Sequence, residues 1–529
     1  MWKELEHLGR QVALNQLSKR DFLVRAATLG LSAAFANSVL VSAASAEAPQ
    51  NGGILKAGLE GGDATDTLDT AIVNSRSLEV FHSTWGETLL SVTPDGSIEY
   101  RIAEEILPSK DLKSWAFRIR RGVQFHNGKE VTPQDVVATV ERHADKNSKS
   151  MVYGLLQGIE SLKADGGDVI MTLKEPNADF PYLLTDFRLP IQPNGGKDNP
   201  AEGIGAGPYK VTVFEPGVRY GGEKFKGYWQ GDKLGHADQV EITIINDATA
   251  RMAALRSGQV HMVDRIPPKL ADLIKSVPGV TIQNIAGSSC CVFNMLCDTA
   301  PFDNNDLRLA LKFAVDREQM LEKIQVGYGA VGNDFPINEA FPDFPDSIEQ
   351  RRFDPEQAKY LYKKSGHSGP ILLRTSEAAF AGATDAAQLY QQSAAKAGIS
   401  IEVKREPGDG YWSEVWKKQP FCASYWDGKS TQDVLYSYAY QSTAATNDTH
   451  FANEKFDKLL LQARSELNHA NRKNIYREMA IIVRDKGGVV VPMFNQHIDA
   501  TGPNVHGFVR HPAKAMGNGY ALSQCWLAG

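Results

Sequence analysis

The sequence predicts an α/β protein laid out in three successive blocks, on three observations. Segments with the two-residue alternation of half-buried strands recur, as in Trp115-Ala116-Phe117-Arg118-Ile119-Arg120. Between them lie stretches with helical spacing, such as Leu307, Ala310, Leu311, Ala314 and Leu321. Residues 371–375, 384–397 and 399–404 read strand, helix, strand, a length that suits a right-handed crossover and so a parallel pair. At 529 residues the chain has room for about two to four compact units.

The first block opens with a short strand, Ile54-Leu55-Lys56-Ala57-Gly58-Leu59, running into the Gly/Asp-rich Glu60-Gly61-Gly62-Asp63. Thr132-Pro133-Gln134-Asp135 places a cap, a first-position proline and an acid at the start of a helix carrying Val136, Val137 and Val140. A strand at 168–173 follows, and the block closes in the Pro/Gly/Asn-rich stretch 190–200. The second block starts at Gly205-Ala206-Gly207-Pro208-Tyr209, with strands at 209–214, 240–245 and 280–285 around a helix at 248–257. In the third, Val292-Phe293-Asn294-Met295 is a strand, and one long helix is expected from about 307 to 325. After the parallel unit come helices at 454–468 and 471–486, then Gly487-Gly488-Val489-Val490-Val491-Pro492, a glycine break and a buried strand.

Composition excludes several classes. With 57 Lys+Arg against 63 Asp+Glu, the net charge of −6 carries no nucleic-acid footprint. Five cysteines are too few for a disulfide scaffold; Cys290, Cys291 and Cys297 cluster while Cys422 and Cys525 stand apart, and an odd count leaves a thiol free. Ser18-Lys19-Arg20-Asp21-Phe22-Leu23, a low-charge run and the small-x-small site Ala44-Ser45-Ala46 read as an export signal over residues 1–46. It is Tat-like, although Lys19 stands where the usual first arginine would be. Cleavage after Ala46 would remove five basic and three acidic residues, leaving 52 against 60 and a net −8. No cysteine at the site points to a lipoprotein.

Catalytic and cofactor motifs fail individually. Gly203-Ile204-Gly205-Ala206-Gly207-Pro208 lacks the dinucleotide spacing and opens a strand rather than a helix, so it reads as a tight turn. Gly428-Lys429-Ser430 resembles the tail of a P-loop, but Ala423 replaces the first glycine. No His-Glu-x-x-His or Gly-x-Ser-x-Gly occurs, Cys290 and Cys291 sit in an apolar strand pattern, and Asp303-Asn304-Asn305-Asp306 caps a helix rather than forming a calcium loop. No metal or cofactor is expected.

Five segments in order do carry a resemblance: Trp115 to Gly128 continuing through Val131-Thr132-Pro133-Gln134-Asp135-Val136; Gly205 to Lys210 with Tyr228-Trp229-Gln230-Gly231; Asn294 with Ala300-Pro301-Phe302-Asp303 and Leu307-Arg308-Leu309-Ala310-Leu311; Phe353 to Ala358; and Gly487 to Pro492. Together they resemble the bacterial extracellular solute-binding proteins of family 5, the peptide/nickel/opine-type receptors of ABC importers. The resemblance implies a two-lobed periplasmic-binding-protein-like fold of type II with a hinge between the lobes. Lobe I would take 47–80, 197–286 and 494–529, with an extra subdomain at 81–196, and lobe II 287–493. It further implies a periplasmic monomer that binds a peptide or peptide-like solute between its lobes and hands it to an inner-membrane permease, without catalysis. An exported two-lobed hydrolase or metal-dependent enzyme is the alternative.

Peptide receptors of this kind hold the ligand's ammonium with an aspartate three residues after a tryptophan. Here Trp426 ends the strand Phe421-Cys422-Ala423-Ser424-Tyr425, and the third residue on is Lys429, with Asp427 and Asp433 close by. A lysine there would favour an anionic group stacked on Trp426; a loop shift would return the role to Asp427 or Asp433. Trp85, Asn294 and Tyr425 complete the expected contacts, and the sequence leaves both anchors open.

Overall fold

A computed structural model of the chain describes residues 48–528 apart from Asn74, Asp346, Asp409 and Ala445. The expected export signal lies outside the described residues. An eleven-stranded mixed sheet organises the rest. Its strands are β1 (Ile54–Leu59), β2 (Tyr209–Glu215), β3 (Arg219–Lys224), β4 (Gln239–Ile244), β5 (Met262–Val263), β6 (Thr281–Met295), β7 (Gly329–Val331), β8 (Ile371–Thr375), β9 (Ile401–Arg405), β10 (Phe421–Trp426) and β11 (Val489–Thr501). The spatial order is β9-β8-β10-β6-β11-β5-β1-β4-β3-β2, with β7 on β11.

The expected strand–helix–strand unit forms: β8 and β9 run parallel, joined by the helix Ala383–Ala395. β6 and β11 are the two long strands, 15 and 13 residues, and they string the halves together. The C-terminal end of β11 lies between β5 and the N-terminal end of β6, whereas Cys290–Met295 of β6 meets β10 on its other edge. Their mutual register breaks between Ala286 and Cys290. Gly287 sits in that break, where a Cβ would come within 2.9 Å of His497 Nε2.

Cys290 and Val292 pack on one side of the sheet with Tyr436 and Phe494; Cys291, Phe293 and Met295 pack on the other with Leu311 and Tyr390. A strand buried on both faces needs no polar alternation, which explains the continuous apolar run. All five cysteines are free, and burial pushes the thiols of Cys290, Cys291, Cys422 and Cys525 upward, as inert core thiols require.

A separate four-stranded antiparallel sheet, ordered Ala103–Pro108, Ser114–Ile119, Asp168–Leu173, Ile159–Asp165, packs beneath the helix Pro133–Ala144. That helix starts as its sequence predicts, with a reciprocal capping box between Thr132 and Asp135. The single long helix expected from 307 does not form. It is two helices, Asn305–Phe313 and Arg317–Ile324, because Asp316 caps the second by accepting from Gln319 N.

Helix α1 (Arg76–Trp85) closes the first lobe's core, and Trp85 at its end is 0% exposed. The Gly203–Gly207 turn crosses directly over it. A Cβ on Gly205 would lie 2.5 Å from the Trp85 carbonyl oxygen, and one on Gly207 2.6 Å from its carbonyl carbon. Because the near atoms are backbone, Gly205→Ala is expected to cost about 1–3 kcal/mol, read as a lower urea midpoint. An unchanged midpoint would contradict this packing.

Candidate ligand-binding cleft

β10 delivers the candidate segment at its C-terminal end. Two-residue alternation turns Tyr425 outward, edge-on to Trp412 at 5.5 Å, and Trp426 inward, where it is 8% exposed among Cys290, Leu435 and Tyr436. The next residues are clamped to the register break: Gly428 N donates to Ser289 Oγ at 3.2 Å, and a Cβ on Gly428 would overlap Ser288 Oγ. Asp427 and Lys429 flank this clamp and are held where the two halves of the sheet meet.

Asp427 faces a residue from the first lobe. Arg76, the first residue of α1, is set by the Ser75 cap, whose side chain accepts from Leu78 N. Arg76 Nη2 lies 3.4 Å from Asp427 Oδ1 and 3.5 Å from the Tyr425 hydroxyl, with the guanidinium 5.8 Å from the Tyr425 ring centroid. Burial works to raise the Asp427 pKa, but Arg76 and then Lys429 outweigh it and hold the carboxyl below its ordinary value.

Other cations of the first lobe stand nearby, each with its own carboxylate. Lys514 pairs with Glu79 at 2.5 Å, Arg188 with Asp186 at 3.3 Å, and Arg265 with Glu60 at 3.2 Å. Arg188 and Lys514 both lie over Phe187, at 4.3 and 4.8 Å. Lys429 differs: no carboxylate of the described residues lies within 4.0 Å of its Nζ, which rests 5.2 Å from the Tyr438 ring centroid. The residue is half-buried, and burial depresses its pKa; Asp427 and, more weakly, Asp186 work against that, while Lys514 and Arg188 add to it. Among the described residues, Arg76, Arg188, Arg265 and Lys514 thus each have a carboxylate within 4.0 Å and Lys429 does not.

The remaining expected contacts fall elsewhere. Trp85 has no exposed surface, so no ligand reaches it in this conformation. Asn294, 1% exposed, donates to Asp448 Oδ2 at 2.6 Å inside the second lobe. Trp426 faces the core and offers no stacking surface to the cleft, because the pleat that exposes Tyr425 buries its neighbour. Asp433 is 2% exposed and accepts from Arg464 Nε at 2.7 Å, in the first turn of the helix Gln432–Ala439. It lies by the contact between the antiparallel subdomain and the second lobe, where Arg472 meets Asp179 at 3.0 Å and Ala178 N donates to the Arg464 carbonyl. Tyr425, Asp427 and Lys429 therefore come together, joined by Arg76, Arg188 and Lys514. Sequence reading missed these three, because nothing local distinguishes them from solvated surface cations. A cavity of about 410 Å³ opens at the C-terminal ends of β8 and β9, beside Ser376, Arg405 and Gly408.

The profile of the bacterial extracellular solute-binding proteins, family 5 Middle, matches residues 97–448. The chain belongs to this family. Family 5 proteins are substrate-binding components of ABC importers rather than enzymes. This family 5 chain is 25% identical over 460 residues to Heme-binding protein A of Haemophilus influenzae, covering 78% of this chain and 82% of that one. It is 23% identical over 467 residues to the glutathione-binding protein GsiB of Escherichia coli, covering 84% and 88%. Among solved structures it resembles the substrate-binding protein CtaP of Listeria monocytogenes (TM-score 0.80, 20% identity, 91% and 100% coverage). It also resembles AgaA of A. tumefaciens in complex with agropinic acid (TM-score 0.78, 24% identity, 90% and 99%). The fold is the two-lobed α/β architecture of periplasmic binding proteins.

Proposed function

We propose that this family 5 protein is the periplasmic receptor of an ABC importer for a small peptide-like solute bearing an anionic group, which Lys429 meets in the interlobe cleft. The observation that carries the reading is the half-buried Lys429 with no carboxylate within 4.0 Å of its Nζ among the described residues, beside an Asp427 already engaged by Arg76. A cation taken partly out of water gains most from a ligand anion that reaches it in the same low-dielectric surroundings. Two proteins this chain is similar to are named for haem and glutathione and a third was solved in complex with agropinic acid, and all three molecules carry carboxylates. Closure of the lobes over the solute is the working step, driven by contacts to both lobes. In the same reading the export segment is cleaved after Ala46 on a Tat-like route, and the mature monomer delivers its solute to the inner-membrane permease.

Calorimetric titration with N-acetylglutathione and with its carboxyl-amidated, uncharged analogue tests the charge preference. The charged form should bind the wild type at least tenfold more tightly, a difference of about 1.4 kcal/mol. Both Lys429→Gln and Lys429→Glu should abolish that preference. An equal affinity for the two forms, or a preference that survives in Lys429→Gln, would sink the reading.

A further inference from the structure

Four first-lobe cations surround the cleft, and three of them take carboxylates from their own lobe: Lys514 from Glu79, Arg188 from Asp186, and Arg265 from Glu60. Arg76 alone among these takes its carboxylate from the opposite lobe, across 351 positions of sequence. The placement is built in. Ser75 caps the helix that Arg76 begins, Gly61 packs on the Arg76 stem, and the guanidinium meets both Asp427 and the face of Tyr425. Asp427 in turn has no other cation within 4.0 Å among the described residues. The pair is only partly withdrawn from solvent, with side chains 37% and 48% exposed, so a ligand group can reach it.

We propose that Arg76 is a specificity-determining residue: an internal counter-cation that occupies Asp427 from the facing lobe and so disfavours solutes presenting a free ammonium group. An ammonium arriving at Asp427 must displace the guanidinium, and the displaced Arg76 then lies in a neighbourhood that already holds Lys429 and Lys514. Like charges brought together there oppose the exchange. The solutes that fit are those whose amine is absent, acylated or otherwise neutralised, and whose anion meets Lys429. The proposal rests on the reading of Lys429 given above and adds to it the reason that Asp427 does not serve as an amine anchor.

The test uses three probes of one backbone: trialanine, N-acetyl-trialanine and N-succinyl-trialanine, titrated into the mature wild type, Arg76→Gln, Lys429→Gln and the double variant Arg76→Gln/Asp427→Asn. Arg76→Gln should bind trialanine at least tenfold better than the wild type does, with no comparable gain for the N-acetyl form. The gain should vanish in the double variant, which assigns it to Asp427. A trialanine affinity within threefold of wild type in Arg76→Gln overturns the proposal, as does an equal gain for both the free and acetylated peptides. The Lys429→Gln arm reads the underlying functional claim separately: it should lose any preference for the succinyl probe whether or not Arg76 acts as proposed. Absence of binding by every probe in every variant would count against both. Thermal unfolding of each variant in the absence of probe identifies any change that comes from a misfolded protein.

Discussion

Asp334→Asn is expected to destabilise the second lobe by about 3–5 kcal/mol, the loss typical of removing one partner from a buried charge cluster. Asp334 is 0% exposed and accepts from Arg317 Nη2 at 2.7 Å, from Arg351 Nη1 at 2.8 Å and from Val491 N at 3.1 Å. Lys312 adds a third buried cation and donates to the Val483, Arg484 and Gly487 carbonyls at the end of the helix His469–Lys486. Neutralising Asp334 removes the carboxylate that Arg317 and Arg351 share; Arg351 keeps Asp485, while Arg317 and Lys312 then face it in the core with no carboxylate within 4.0 Å among the described residues. Asparagine isolates that effect, since it tolerates the left-handed backbone of Asp334 (φ +58°) as aspartate does. Burial works to raise the Asp334 pKa, but Arg317, Arg351 and Lys312 outweigh it, and the carboxyl titrates below its ordinary 3.8. Its contribution is therefore present above about pH 4 and is lost as the pH falls through the folded value. Urea unfolding at pH 7 should show the full loss, and the gap between variant and wild type should narrow in acid. A loss under about 1 kcal/mol at pH 7 would contradict this account.

Asp448→Asn should behave in the opposite sense. Asp448 is buried, its Oδ2 accepting from Asn294 Nδ2 at 2.6 Å and Trp416 Nε1 at 3.0 Å. Burial dominates and lifts its pKa to about 7, with hydrogen bonds only partly opposing it. A carboxyl whose folded pKa is raised keeps its proton in the fold while the unfolded chain has lost it. Its contribution is fully present below about pH 4 and declines as the pH rises through about 7, by at most about 1.4 kcal/mol per pH unit. Asparagine keeps the acceptor toward Asn294 and Trp416 without a charge to bury. The variant should match wild type near pH 4 and exceed it by roughly 1–3 kcal/mol at pH 8. Asp179, Asp264 and Asp499 also have raised pKa values but are present in both proteins, so their shares cancel in the difference. Parallel stability–pH curves for the two proteins would refute the assignment.

Several local features were legible in the sequence because their signals are local. The cap at Thr132, the parallel unit ending in β9, and the doubly buried run at Cys290–Phe293 each follow from spacing within a few residues. The helix break at Asp316 was hidden because Ala310, Leu311, Ala314 and Leu321 continue one apolar stripe across it. The opposite facing of Tyr425 and Trp426 could have been read from strand alternation alone, once the strand was recognised. Arg76 carried no such signal, being an ordinary first-turn arginine whose partner lies 351 positions away.

The sequence by itself determined the α/β character, the order of the motifs, the absence of the catalytic and cofactor motifs sought, and the presence of a lysine three residues after Trp426. It could not decide among Asp427, Lys429 and Asp433. The tertiary structure gives Asp427 to Arg76 and Asp433 to Arg464 and leaves Lys429 without a carboxylate within 4.0 Å among the described residues, which is the difference that supports the proposed role of Lys429. Periodicity and capping act over a few residues and are written in the chain. Which charge remains uncompensated depends on groups hundreds of positions apart and on how far each is withdrawn from water.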